Sequence, residues 1–285
     1  MRFVVSVIGL VVIYSSCARS AVWLSRRLGL LSLTHGAIMG CGAYSFALCS
    51  KAGIPLIPSV FLGILTSGIS GCILMITSDS VQAEDFALVS FGVQVIWLVC
   101  ARNMTWLTRG ALGIPGVPEL VKLPLEDYGL GAALFYCCLS LVAATIFSRV
   151  DRSPFSIASS VVKSSKELAL SIGLSGRLIR AQIGFLYGLT VGLFAICLAS
   201  TLTFISPDQF SIDTSVTIVA IAFLMREDNL LSAISASGLL IGIPQVLRLA
   251  GVSTARSGFI QLFLGGLIVA FGALAVTTAQ RGRHD

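Results

Sequence analysis

Three glycines, a histidine and a tyrosine fall within Leu31-Ser-Leu-Thr-His-Gly-Ala-Ile-Met-Gly-Cys-Gly-Ala-Tyr44, inside a run that a bilayer would otherwise fill with leucine. Glycines 36, 40 and 42 lie close together on a helix, where small residues let neighbouring backbones approach. Two uses are open to them. One is packing; the other is a helix that bends or starts beside a pathway and leaves N–H groups free to hold a solute carboxylate. His35 stands near the start of the run, where a structural hydrogen bond that fixes the helix start is expected ahead of proton chemistry. Tyr44 and Trp97 read either as aromatic anchors at the membrane interface or as solute contacts.

A second polar stretch follows a short apolar run: Asn103, Thr105, Thr108, Gly110, Gly113 and Pro115. It is either an exposed loop or a broken helix lining an aqueous face, because irregular backbone at membrane depth survives only where protein or water satisfies it. Ser206-Pro207-Asp208 predicts a tight extracytoplasmic turn.

Other chemistry finds no support. The phosphate-binding pattern GxxxxGK[ST] is absent, so any ATP hydrolysis is expected on a separate chain. His35 and His284 are the only histidines, the latter in a polar tail; no metal cluster, cofactor site or acid, base and nucleophile set is expected. The eight cysteines are scattered through apolar runs without CxxC spacing and read as small membrane-helix residues.

The elements that must position these residues follow from composition. The 285-residue chain is 56% hydrophobic and 11% charged, with mean hydropathy +0.96, which excludes an ordinary water-soluble domain. Uncharged runs cover 3–18, 28–50, 52–78, 86–101, 128–148, 181–207, 214–225, 229–247 and 257–280. A spanning helix needs roughly 20 apolar residues. Five or six runs qualify, 3–18 and 86–101 are marginal, and 214–225 is too short to span unbroken. The expectation is an all-α, polytopic bundle of eight or nine hydrophobic segments, some discontinuous, forming one domain over 1–285. Arg2 and the small residues Ser15, Ser16 and Ala18 imitate a signal peptide; a retained first helix is expected.

Net charge +6 is carried by basic residues in short loops, better explained as orientation signals than as a nucleic-acid surface. The loop 149–180 holds Arg149, Arg152, Lys163, Lys166, Arg177 and Arg180 against Asp151 and Glu167, so it is expected in the cytoplasm. Four runs away, a second basic loop with Arg19, Arg26 and Arg27 falls on the same side, which places the N-terminus outside.

Within 149–180, Ser153-Pro154 is a good helix start, and Gly173 or Gly176 a plausible stop. Ile157, Val161, Leu168 and Ile172 recur at near-helical spacing, which predicts one amphipathic helix lying along the membrane. It either stabilises the loop or docks into a groove on a cytoplasmic partner.

Glu167-Leu-Ala-Leu-Ser-Ile-Gly173 resembles the cytoplasmic loop by which permeases of ATP-binding cassette (ABC) importers contact their ATPase subunits. The rest of the chain is similar to the permeases of branched-chain amino acid and urea or short-amide ABC importers. Leu31 to Tyr44 resembles that family's LSLGHGAFMGIGAY, and Asp85-Phe-Ala-Leu-Val-Ser-Phe-Gly92 its YFAIVTLAF. Asn103-Met-Thr-Trp-Leu-Thr108, with Gly110 and Gly113-Ile-Pro-Gly116, resembles its NWTSLTGG and GI stretch; Phe204-Ile-Ser-Pro-Asp-Gln-Phe-Ser211 resembles FISPDSFS. Together these cover about residues 28–250 in the family's order. Three departures stand out: Thr34 and Arg109 replace glycines, and Met225-Arg-Glu-Asp-Asn229 replaces a glycine pair.

The resemblance implies a multi-pass permease of the bacterial inner membrane. It would pair with a second homologous permease and two cytoplasmic ATPase subunits, and receive a branched-chain or other hydrophobic amino acid, urea or a short amide from an extracytoplasmic binding protein. It implies ATPase coupling through Lys163, Lys166, Glu167, Leu168, Ala169 and Gly173. The pathway is expected at Thr34, His35, Gly36, Gly40, Tyr44, Asn103, Thr108 and Gly113. The alternatives are a non-transporting assembly factor or intramembrane enzyme on the same scaffold, and a sugar permease of the same superfamily.

Overall fold

A computed structural model describes residues 2–120, 130–225 and 228–249. Each uncharged run within them becomes helix, since hydrocarbon offers backbone N–H and C=O groups no partner but one another. In chain order these are α1 (Arg2–Leu28), α2 (His35–Lys51), α3 (Leu56–Thr77), α4 (Ala83–Asn103) and the short α5 (Thr105–Thr108). After the strand β1 (Ile114–Pro115) come α6 (Leu130–Asp151), α7 (Pro154–Ser164), α8 (Lys166–Ser171) and α9 (Gly176–Leu202). The strand β2 (Phe204–Ile205), α10 (Ile212–Leu224), α11 (Leu230–Ser237) and α12 (Ile243–Leu249) complete the described chain, with a π-helical turn, Gly238–Gly242, joining the last two helices.

Among the described residues, five helical stretches are long and apolar enough to cross a membrane: Val7–Leu28, Leu56–Ser80, Ala83–Asn103, Gly131–Asp151 and Gly176–Leu202. The helices α2 and α10 are shorter, with 17 and 13 residues. Each is preceded by non-helical or tightly wound backbone: Gly29–Thr34 before α2, and β2 with the 3-10 turn Pro207–Phe210 before α10. The short run 214–225 is thus a helix that begins part-way, as its length demands. The run 257–280 lies outside the described residues.

Two ends of the bundle can be told apart. At one, β1 and β2 pair antiparallel, Ile114 opposite Ile205 and Pro115 opposite Phe204; at the other sit α7 and α8. The helices α3 and α9 cross between these ends in opposite senses and form the tightest contact. A Cβ on Gly184 would strike the Gly71 carbonyl, and one on Gly188 the Ser67 carbonyl. Small residues at four-residue spacing, Ser67 and Gly71 on α3 facing Gly184, Gly188 and Gly192 on α9, allow this backbone approach, and Gly63 a turn earlier meets the Gly42 carbonyl of α2.

Two expectations are corrected. Arg19, Arg26 and Arg27 are not in a loop but in the last turns of α1, because each has a carboxylate to meet: Arg19 and Arg26 pair with Asp228 at 3.5 and 3.2 Å, and Arg27 pairs with Asp151. The single amphipathic helix of the 149–180 segment is two helices. Ser165 is extended (φ −156°, ψ 123°), and its side chain caps α8 by accepting from the Leu168 N–H at 3.2 Å. A serine that can cap competes with helix continuation.

Candidate functional site

The start of α2 lies in the interior, beside the middle of α4. The first N–H groups of a helix have no intrahelical acceptor and need one from elsewhere. Here the acceptors come from two other helices. Leu33 N–H donates to Ser90 Oγ at 2.9 Å, Gly36 N–H to Ser215 Oγ at 2.8 Å and Ala37 N–H to Gln94 Oε1 at 2.7 Å. The Ser215 hydroxyl donates to Gln94 Oε1 at 3.1 Å, and Gln94 Nε2 donates to the Phe210 carbonyl at 2.8 Å. Ser90, Gln94 and Ser215 are fully buried. One carboxamide on α4 therefore joins the starts of α2 and α10.

The glycines of α2 serve this closeness. A Cβ on Gly36 would come within 2.7 and 2.9 Å of the Phe210 and Ser211 carbonyls, and one on Gly40 would overlap the Trp97 indole. Packing accounts for both. Of the two uses open from the sequence, freed N–H groups holding a solute is not what Gly36 and Ala37 show: their N–H groups are occupied by the chain's own side chains.

On the β-ribbon side of this junction, Tyr44, Trp97 and Phe210 meet edge to face, with ring centroids 6.1 to 6.3 Å apart. Tyr44 is buried, so it packs in an interior cluster and is no interfacial anchor. Edge-on aromatic packing of this kind fills the space between α2, α4 and the Pro207–Phe210 turn.

His35 departs from expectation. It is 1% exposed and packs edge-on to Tyr187, with centroids 5.6 Å apart. The Ser32 backbone lies beside the ring, and neither ring nitrogen has a hydrogen-bond partner of good geometry among the described residues. The helix start is held by Gln94, Ser215 and Ser90 instead. Thr34, also buried, shares a 2.8 Å hydroxyl contact with Ser32.

Among the described residues, His35 and Ser32 line a cavity of about 150 Å³ between α1, the segment before α2, and α10. Ala21, Val22, Leu24, Leu30, Val219 and Ala222 give it apolar walls. Exposed Leu31 and Phe223 stand at its mouth with Ser25 and Arg26. The Arg19 and Arg26 pairs with Asp228 fix α1 to the start of α11, next to the α10 wall.

The second polar stretch does not join this site. Asn103 ends α4, exposed, with its amide donating to the Val99 carbonyl at 2.8 Å. Thr108 is buried and donates to the Ala101 carbonyl at 2.6 Å; Gly113 (φ +67°) abuts the Ile205 carbonyl. They form a cap over the β-ribbon end of α4. The Arg102–Asp208 pair at 2.6 Å links that cap to the turn before α10.

At the opposite end, Glu167, Leu168 and Gly173 are exposed, Ala169 is buried, and Lys163 folds back to donate to the Arg26 carbonyl at 2.9 Å. Leu168, Leu170 and Ile172 leave an apolar exposed edge on α8 and the turn after it. Beneath it, Arg180 reaches Ser78 Oγ at 3.1 Å and Asp79 at 3.6 Å, which ties the start of α9 to the end of α3.

Sequence reasoning missed Gln94, Ser215 and Phe210. A signal existed for the first: one carboxamide in the uncharged run 86–101, where a buried polar side chain is costly unless paired.

Spanning helices, two shorter helices whose starts meet in the interior and a pair of short helices at one end define a multi-pass membrane protein. The family model described as "Branched-chain amino acid transport system / permease component" matches residues 3–279, and the chain belongs to this family. It is 25% identical over 266 residues to the high-affinity branched-chain amino acid transport system permease proteins LivM of Escherichia coli and of Salmonella typhimurium, covering 85% of this chain. The chain spans only 61% of the length of those relatives. Among solved structures, PsaBC from Streptococcus pneumoniae in complex with Fab is similar at a TM-score of 0.43 and 15% identity, over 93% of this chain and 88% of that one.

Proposed function

We propose that the chain is the permease subunit of an ABC importer in a bacterial inner membrane, working as one domain, and that it moves a branched-chain or other small amphipathic amino acid, urea or a short amide. It pairs with a second homologous permease, receives solute from an extracytoplasmic binding protein and is driven by two ATPase subunits on the cytoplasmic side. The observation that carries this reading is the junction at Gln94, where the starts of two interrupted helices meet inside the bundle. Helices that start inside the bundle are a feature of transporter scaffolds; here their first N–H groups are taken up by Ser90, Ser215 and Gln94, so the junction serves as a fixed pivot beside the pathway. Family membership supports it independently.

In this reading the α7–α8 end faces the cytoplasm, where the positive bias of 149–180 supports it, and the apolar edge of Leu168, Leu170 and Ile172 rests on an ATPase together with Lys166, Glu167, Ala169 and Gly173. Movement of that edge reaches the interior through α9 and its Arg180 link to α3. Thr34, His35, Gly36, Gly40 and Tyr44 border the pathway, while Asn103, Thr108 and Gly113 shape its outer cap. The ion pairs of Asp228 with Arg19 and Arg26 give that residue a packing role, which supports retention of the transport scaffold over its loss.

Co-purification with the ATPase and uptake of radiolabelled leucine test the reading. Leu170→Asp with Ile172→Asp is expected to abolish ATPase capture and uptake while the chain stays monodisperse in detergent. Capture and uptake unaffected by both changes would refute it.

A further inference from the structure

Outside the Gln94 junction, the most unusual group is His35, an almost fully buried imidazole with both nitrogens unsatisfied, on the wall of a cavity. A buried polar group without a partner costs about 1–3 kcal/mol, so an orphan of this kind calls for an explanation. Hydrogen bonds of good geometry among the described residues do not supply one.

Size and lining narrow what could. About 150 Å³ is the volume at which an apolar cavity accepts a ring or branched hydrocarbon of roughly six heavy atoms. The walls are aliphatic on the α1 and α10 sides, and the polar groups gather at two places. His35 and Ser32 sit on the wall from the segment leading into α2, and Ser25 and Arg26 at the mouth. Arg26 is more than half exposed although it reaches Asp228 at 3.2 Å, so its remaining N–H donors are open.

We propose that this α1–α2–α10 cavity is a binding chamber for a small solute with a branched or flat apolar body and one terminal carboxylate or carboxamide. The apolar body fills the aliphatic part, a polar hydrogen of the solute meets His35, and the carboxylate or carboxamide oxygen faces Arg26 and Ser25 at the mouth. The proposal rests on the transport reading and names which part of the chain holds the solute. The chamber lies beside the occupied N–H groups of α2, so binding leaves the Gln94 junction intact. The Asp228 pairs fix the α1 side of the chamber relative to the start of α11 and so set its width.

The test is equilibrium binding of radiolabelled L-leucine, and of isobutyramide as the uncharged probe, to the detergent-purified permease–ATPase complex, alongside uptake in cells. Ala222→Phe, which fills the chamber, is expected to weaken leucine binding at least tenfold. His35→Leu is expected to weaken both probes, and Arg26→Gln leucine more than isobutyramide. Ala222→Met fills part of the space with a flexible side chain and guards against misfolding; Ile57→Ala on exposed α3 is the control and binds as wild type. If Ala222→Phe and Ala222→Met leave binding and uptake unchanged while the wild type transports leucine, the chamber is not the solute site and the transport reading stands. If both variants lose only a co-purifying phospholipid, the chamber is an acyl-chain site and the proposal is overturned. A wild-type complex that neither binds nor transports either probe sinks the transport reading for these solutes along with the chamber.

Discussion

Gln94 Oε1 lies 2.7 Å from the backbone nitrogen of Ala37, so a side chain from the middle of α4 caps the start of α2. Its amide nitrogen holds the Phe210 carbonyl at 2.8 Å on the way into α10. One residue thus fixes the relative position of three helices.

Gln94→Leu leaves the Ala37 N–H and the Phe210 carbonyl without their partner. At about 1–3 kcal/mol for each stranded buried group, a loss of roughly 2–6 kcal/mol is expected. It should appear as a lower midpoint of thermal unfolding in detergent and as reduced uptake. An unchanged midpoint would show that the hydrogen bonds are incidental to the fold.

Gly188 and Gly92 make a contrasting pair on spanning helices. A Cβ at 188 would overlap the Ser67 carbonyl, whereas one at 92 meets nothing within 4 Å. Gly188→Val is expected to push α3 and α9 apart and to yield little monodisperse protein. Gly92→Ala is expected to be neutral or stabilising by up to about 1 kcal/mol, since glycine is the poorer helix former. Size-exclusion profiles of the two variants check this, and similar profiles would contradict the close crossing.

Asp228 sits 3.5 Å from Arg19, with side-chain exposures of 13% and 12%. Removing one partner of a buried pair strands the other, at about 3–5 kcal/mol. Asp228→Asn should therefore destabilise strongly. The double change Arg19→Met with Asp228→Leu should recover most of that loss, because Arg26 can turn to solvent. A double variant no better than the single one would mean that the charge itself is needed.

Arg109 occupies the left-handed region (φ +61°, ψ 12°), where a side chain costs about 1–2 kcal/mol relative to glycine. Arg109→Gly gives back part of this through the greater freedom of the unfolded chain. A net gain of roughly 0.5–1 kcal/mol is expected, seen as a modest rise in the unfolding midpoint. Thr34, where the family pattern also has glycine, has φ −98°, so Thr34→Gly should bring no such gain. Equal responses at the two positions would break the link to backbone conformation.

Much of the scaffold was legible beforehand. The uncharged runs marked the spanning helices to within about two turns except at the end of α1, which continues ten residues past its run, and the shortness of 214–225 announced a helix that cannot span unbroken. The ends were less legible, because an arginine continues a helix when a carboxylate waits for it. Asp228 and Asp151, remote in sequence, decided that for α1. The break at Ser165 was hidden for a related reason, since apolar spacing runs through it while the serine's own cap ends one helix and starts another.

The site was legible only in part. The glycines of 31–44 drew attention to the start of α2, yet what they pack against, the Phe210 and Ser211 carbonyls and the Trp97 indole, comes from α4 and from the turn before α10. Asn103, Thr108 and Gly113 looked like companions of His35 and instead cap the far end of α4.

By itself the sequence determined a membrane-embedded, all-helical chain with one strongly basic loop and one run, 214–225, too short to span unbroken. Those properties follow from hydrocarbon rejecting charge and unpaired backbone, which acts on each run separately. Only the tertiary structure decided that Gln94 and Ser215 occupy the N–H groups of Ala37 and Gly36 and that His35, beside a cavity, has no well-formed hydrogen bond among the described residues. Hydrogen-bond partners in the interior depend on which distant helices meet, and no local spacing encodes that.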